Sequence, residues 1–123
     1  MLSALAYGVA IILDLFIAFI GARFLLAPRT AAAGYGVPAE PPGDSAYLAV
    51  KGVRDVSLGI VGLALVAFVG ARAEAWFMLG AALIPLGDML IVLRHGGTKA
   101  TAFGIHFATA VVVLISAALL FAA

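Results

Sequence analysis

Four predominantly apolar runs, residues 5–26, 46–69, 75–93 and 100–121, occupy most of the chain. Each is close to the roughly 20 residues that a helix needs to cross a bilayer's hydrocarbon core. In lipid the backbone must satisfy its own hydrogen bonds, so runs of this kind form helices. The rest of the composition agrees. Of 123 residues, 66% are hydrophobic and 11% are charged, where a soluble domain carries about 25% charge. A water-soluble globule of this size could not hide so much apolar surface. The expected fold is an all-α integral membrane four-helix bundle, a single domain over residues 1–123.

The segments between the runs fit that reading. The first holds Pro28, Gly34, Gly36, Pro38, Pro41, Pro42 and Gly43, too many breakers for a long helix. Asp44 or Ser45 is placed to cap the second helix. The second loop is short, around Gly70–Glu74, and the third is Arg94-His95-Gly96-Gly97-Thr98-Lys99. Short loops join antiparallel neighbours, which predicts an up-down topology. Loops one and three with their flanks carry Arg23, Arg29, Lys51, Arg94 and Lys99, whereas the terminal side carries Arg72 alone. The positive-inside rule then expects loops one and three in the cytoplasm and both termini outside, in the plasma (inner) membrane. No Lys or Arg precedes Arg23, and the first apolar run is too long for a cleavable signal peptide.

Other classes are excluded on composition. The net charge is only +1, with no basic tract, which argues against nucleic-acid binding. There is no cysteine, so disulfides, thiolate metal sites and cysteine nucleophiles are absent. His95 and His106 lie on different segments without metal-ligand spacing, so neither a metal nor another cofactor is expected. There is no phosphate-binding loop and no nucleophile elbow. Gly52, Gly59, Gly62, Gly80 and Gly87 suit close packing of helices in lipid, and such faces are compatible with a homodimer. Tyr35, Trp76 and Phe77 are read as interfacial anchors.

The ionisable residues inside the spans are the informative ones. Asp14 falls in the first run, Lys51, Arg54 and Asp55 in the second, Asp88 in the third and His106 in the fourth. A charge at the bilayer centre costs roughly 2.5–3.5 kcal/mol on insertion scales, so such groups face inward and pair. At 100° per residue, Tyr47, Lys51, Asp55, Leu58 and Gly62 share one stripe, with Arg54 at its edge. Asp88 and His95 share a face, as do Lys99 and His106, while Arg23 lies opposite Asp14 and is expected to snorkel. Straight helices put Asp55, Asp88 and His106 roughly 9–12 Å below one boundary, and Asp14 roughly 18 Å deep. Pro85 is expected to interrupt the third helix near Asp88.

Carboxylates, cations and a histidine held at one level in a low dielectric make an acid–base set. Such a set suits activating water at one end of a small electrophile while protonating the other, as opening an epoxide requires. The expected catalytic residues are Arg54, Asp55, Asp88 and His106. Asp55 would be the base, oriented by Arg54, and Asp88 the proton donor, with His106 and Asp14 as alternative donors. The acid and base roles are exchangeable, because a coupled pair titrates as a pair. Asp14, Lys51 and Tyr47 are expected to contact a lipophilic small-molecule substrate. Two alternatives remain open. One is a small proton-coupled transporter using Asp14, like the small multidrug exporters, although those leave their other helices nearly uncharged. The other is a non-catalytic membrane subunit with a structural charge cluster.

Five pieces also carry a resemblance. They are Phe24-Leu25-Leu26-Ala27-Pro28, Gly34-Tyr35-Gly36-Val37, Lys51-Gly52-Val53-Arg54-Asp55 with Gly59, Ile84-Pro85-Leu86-Gly87-Asp88, and His106. Together they resemble a family of small four-helix membrane proteins catalogued as a domain of unknown function in bacteria and fungi. Some fungal relatives are associated with epoxide opening in polyketide pathways. The resemblance implies such chemistry here at the matching positions Arg54, Asp55, Asp88 and His106.

Overall fold

The computed structural model describes residues 1–39 and 44–123. Pro41, Pro42 and Gly43 of the expected first loop lie outside the described residues, as does Glu40. The described residues form five helices: α1 (Leu2–Leu26), α2 (Pro28–Tyr35), α3 (Asp44–Val69), α4 (Ala71–Arg94) and α5 (Lys99–Ala122). All but α2 are long and apolar enough to cross a membrane. Consecutive spans run antiparallel and pack as an up-down bundle, α1 along α3, α4 along α5, and α1 also against α5. In three of the four spans only 22% of the most apolar window is buried, and in α5 33%. The remaining surface, with Ile12 and Phe68 among its large exposed side chains, is a lipid-facing one. The chain is an integral membrane four-helix bundle.

Small residues set how closely the helices approach. Ala6, Ala10, Ala75, Ala82 and Ala117 are buried with Met78, Val113 and Leu120 in one cluster between α1, α4 and α5. Along α1 and α3 the contact is closer still. A methyl group added to Gly21 would lie 2.6 Å from the Gly52 carbonyl oxygen and the Val56 amide nitrogen. One added to Gly59 would lie 2.6 Å from the Asp14 carbonyl oxygen. Only glycine allows two backbones to touch in this way. A methyl group added to Gly80 or Gly87 would meet nothing within 4 Å, so these two glycines do not set the packing of helices within the chain.

The first connection is not a plain loop. Pro28 opens α2 at a position where its missing N–H costs nothing. Gly36 ends it in the left-handed region, with φ 99°. Ala31 and Ala32 of α2 bury against Phe24, which folds the short helix back onto the bundle.

Three irregularities turn the spans. Pro85 cannot donate to the Ala81 carbonyl, and α4 is interrupted at Ala82 as expected. The last turn of α3, Leu65–Val69, and a turn of α5, Ala102–Phe107, are π-helical. Gly70 alone then reverses the chain, with φ 130°. The expected loop over Gly70–Glu74 is therefore helical from Ala71 onward, which carries Glu74 into the bundle, where it is fully buried.

Candidate active site

Tyr35, the last residue of α2, is the hub of a polar cluster at the end of the bundle where the α1–α3 and α4–α5 connections lie. Its hydroxyl donates to Asp88 Oδ2. Lys51 Nζ donates to the same hydroxyl at 3.4 Å and to Asp55 Oδ2 at 2.7 Å. The Tyr35 carbonyl oxygen lies 2.7 Å from His106 Nε2. A carbonyl only accepts, so Nε2 carries the hydrogen and the lone pair of the neutral ring falls on Nδ1. The two rings pack edge to face at 4.3 Å, and Phe24 also packs edge to face with Tyr35, at 5.5 Å. The Lys51 ammonium also sits 4.4 Å from the Tyr35 ring centre and 4.9 Å from that of Phe24, a cation–π arrangement that partly replaces its hydration.

Each position has a local cause. Asp55 lies on the stripe Leu48, Gly52, Asp55, Gly59 and Gly62, spaced by three and four, that α3 buries against its neighbours. Lys51 is one turn before Asp55, so their ion pair closes along the helix. Asp88 follows the Pro85 interruption of α4. His106 sits in the π turn of α5. A π turn fits about one extra residue, or roughly 100° of rotation, so it separates His106 from the face of Lys99. His106 is buried and Lys99 is exposed.

Burial comes first among the causes that push the Tyr35 phenol far above its ordinary value of 10.0. The negative charge of Asp88 and its hydrogen bond add to this, and Asp55 contributes last. The hydroxyl therefore stays protonated and remains a donor.

A cavity of about 270 Å³ runs from this cluster into the bundle. Tyr35, Asp88 and His106 line one end, Asp14 lines it deeper in, and apolar side chains such as Ile17, Leu58 and Phe77 lie between. The volume is near the lower limit of small-molecule pockets, roughly 300–1,000 Å³. Asp14 and Glu74 are both buried, and their carboxyls lie next to each other. Among the described residues no three His, Cys, Asp or Glu side chains are grouped to hold a metal ion.

Of the seven expected site residues, the structure brings Lys51, Asp55, Asp88 and His106 into one cluster, with Asp14 on the wall of the adjoining cavity. Arg54 and Tyr47 are elsewhere. Arg54 is exposed on the far side of α3, beside Val50, Val53 and Ser57, so it does not orient Asp55; Lys51 does. Tyr47 is 77% exposed. The cause is the same for both. The buried stripe is centred on the glycines and shares Asp55 and Gly62 with the stripe drawn through Tyr47, but it is rotated from it by roughly 60°. His95 is exposed too, bonded to the Ile91 carbonyl oxygen, and does not join Asp88. Arg23 is exposed yet borders the cavity.

Two functional candidates were missed. Tyr35 was read as an interfacial anchor and Glu74 as a loop or interface residue. The signal for Tyr35 was the spacing from Pro28 to Gly36, a helix start and stop eight residues apart. For Glu74 it was that a lone glycine suffices to reverse a chain.

A protein-family profile described as "Domain of unknown function (DUF4267)" matches residues 15–120. The chain belongs to this family. The matched range contains Tyr35, Lys51, Asp55, Glu74, Asp88 and His106, and begins one residue after Asp14. No curated protein and no solved structure matches this DUF4267 member.

Proposed function

We propose that this protein is a membrane-embedded acid–base enzyme that opens an epoxide on a lipophilic small molecule, as a hydrolase or an isomerase. One observation carries the reading. Asp88 and His106 line the same apolar cavity, bridged by Tyr35, with the Lys51–Asp55 ion pair behind them. A base with a free lone pair and a rechargeable acid thus face one small, mostly apolar space.

The roles follow from what each group touches. Nδ1 of His106 takes the proton of an attacking water, while Nε2–H stays on the Tyr35 carbonyl and holds the ring in place. The water oxygen forms a bond to an epoxide carbon as the C–O bond of the ring breaks. The departing oxygen takes a proton from Asp88. Lys51 supplies that proton: its ammonium gives one to the Tyr35 oxygen as Tyr35 passes its own to Asp88. One proton returned from the imidazolium to the Lys51 amine restores the starting state. Asp55 holds Lys51 in place against Tyr35 and does not itself face the cavity, so the role of base falls to His106. In an isomerase His106 would remove a proton from a substrate carbon instead of from water.

Product analysis in heavy-oxygen water tests this. Purified protein is incubated with a panel of lipophilic epoxides. Hydrolysis puts one heavy oxygen in a diol, and isomerisation gives an unlabelled allylic alcohol or ketone. No conversion of any epoxide beyond the protein-free control would reject both.

A further inference from the structure

The polar groups of the bundle fall into two sets that differ in kind. At the loop end, the Tyr35, Lys51, Asp55 and Asp88 side chains satisfy one another. Deeper in, Asp14 Oδ2, both oxygens of Glu74 and the Ser116 hydroxyl are buried without a hydrogen-bonding partner, and among the described residues these are all the buried side-chain atoms left so. With no donor from elsewhere in the chain, the contact between Asp14 and Glu74 is attractive only if a proton of their own lies between them. An unsatisfied polar atom inside a membrane is costly, yet the bundle is shaped to keep Asp14 there. A methyl group on Gly62 would collide with its carboxyl, so the glycine makes the seat for it. Asp14 also lies on the wall of the cavity, whereas Glu74 stands behind it.

We propose that the Asp14 carboxyl, backed by Glu74, is a second subsite of this cavity, which binds the hydroxyl end of an elongated lipophilic substrate. The inference rests on the reading of the cavity as a substrate site and names the class of molecule it takes. The reacting end would lie between Asp88 and His106. Asp14 lies ten residues from Phe24, about 15 Å along α1, and Phe24 packs on Tyr35. The intervening wall is apolar. The fitting ligand is therefore a chain or flat ring system with a hydrogen-bond donor at one end and the reactive group at the other. A hydroxyl donates to Asp14 without bringing a charge into the bundle.

Binding to the full chain in lipid nanodiscs tests the subsite without any turnover, with empty nanodiscs as the control for partitioning. The probes are n-decanol, methyl n-nonyl ether of the same size, and n-decylammonium. In wild type the alcohol should bind about tenfold tighter than the ether, the worth of one good hydrogen bond. Asp14→Leu should reduce that preference to less than about twofold, and Glu74→Gln should weaken it. Asp88→Asn should leave it intact, which separates this proposal from the chemistry proposed at the other end. Equal binding of alcohol and ether by wild type overturns the proposal even if Asp14→Leu does not fold. So does a preference that survives in Asp14→Leu or disappears in Asp88→Asn. An ammonium that binds more than about tenfold tighter than the alcohol overturns it as well, in favour of a cation site.

Discussion

Tyr35 makes six of the contacts that define the cluster: its hydroxyl meets Asp88 and Lys51, its carbonyl meets His106, and its ring meets His106, Phe24 and the Lys51 ammonium. Removing only the hydroxyl separates chemistry from packing. Tyr35→Phe keeps the ring in contact with Phe24 and His106 but cuts the relay from Lys51 to Asp88. Epoxide turnover should fall by about 10²–10⁴, the usual worth of a positioned acid, with helix content by circular dichroism unchanged. The phenol also sets a pH dependence. Its folded-state value is raised above the ordinary 10.0, so its contribution to stability is fully present below pH 10. Above pH 10 the unfolded chain releases the proton and the folded one does not, so stability is lost as pH rises. The melting temperature in detergent should therefore fall more steeply above pH 10 in wild type than in Tyr35→Phe. Equal slopes would place the phenol in contact with water. Of the cluster's other side chains, Asp55, Asp88 and His106 were legible from burial cost and helical depth alone. Tyr35 was not, because a tyrosine beside a membrane has an ordinary interfacial use that composition does not distinguish from a site.

At the scale of the helix, the glycine seam between α1 and α3 decides where Lys51 and Asp55 point. Gly21→Ala sets a methyl group against backbone atoms of α3 that cannot rotate away. It should cost about 1–3 kcal/mol, the usual penalty of overpacking. Gly80→Ala, which meets nothing, should be neutral or slightly stabilising, since alanine is the better helix former. Thermal unfolding of the two variants side by side in detergent checks this. The same seam shows how far periodicity reaches. Counting at 100° per residue found the right helix and put Lys51 and Asp55 on one face, although Arg54 was read as the partner of Asp55. It drew the stripe through Tyr47 instead of Leu48, because the polar side chains were given more weight than the glycines that actually touch. The π turn at Ala102–Phe107 was out of reach of any fixed period, and it is what takes His106 off the face of Lys99.

For the whole molecule, four apolar runs and short connections were enough to read an all-α up-down membrane bundle. Side-chain contacts between spans were not readable, since they depend on the Gly70 reversal and the folding back of α2. The charge asymmetry of the loops makes a separate prediction about orientation. The chain has no cysteine, so single cysteines report cleanly. A membrane-impermeant thiol reagent should label Ala122→Cys on intact cells and His95→Cys only after permeabilisation. The reverse pattern would invert the bundle. The central claim is that Asp88 and His106 are the acid and base of one reaction. The most direct test is turnover of a lipophilic epoxide in heavy-oxygen water by wild type, Asp88→Asn and His106→Phe, each with its melting temperature. The account predicts labelled or rearranged product from wild type and a loss of at least about 100-fold in each variant, with both variants folded. Wild-type rates in both variants, or no conversion of any epoxide by wild type, would contradict it.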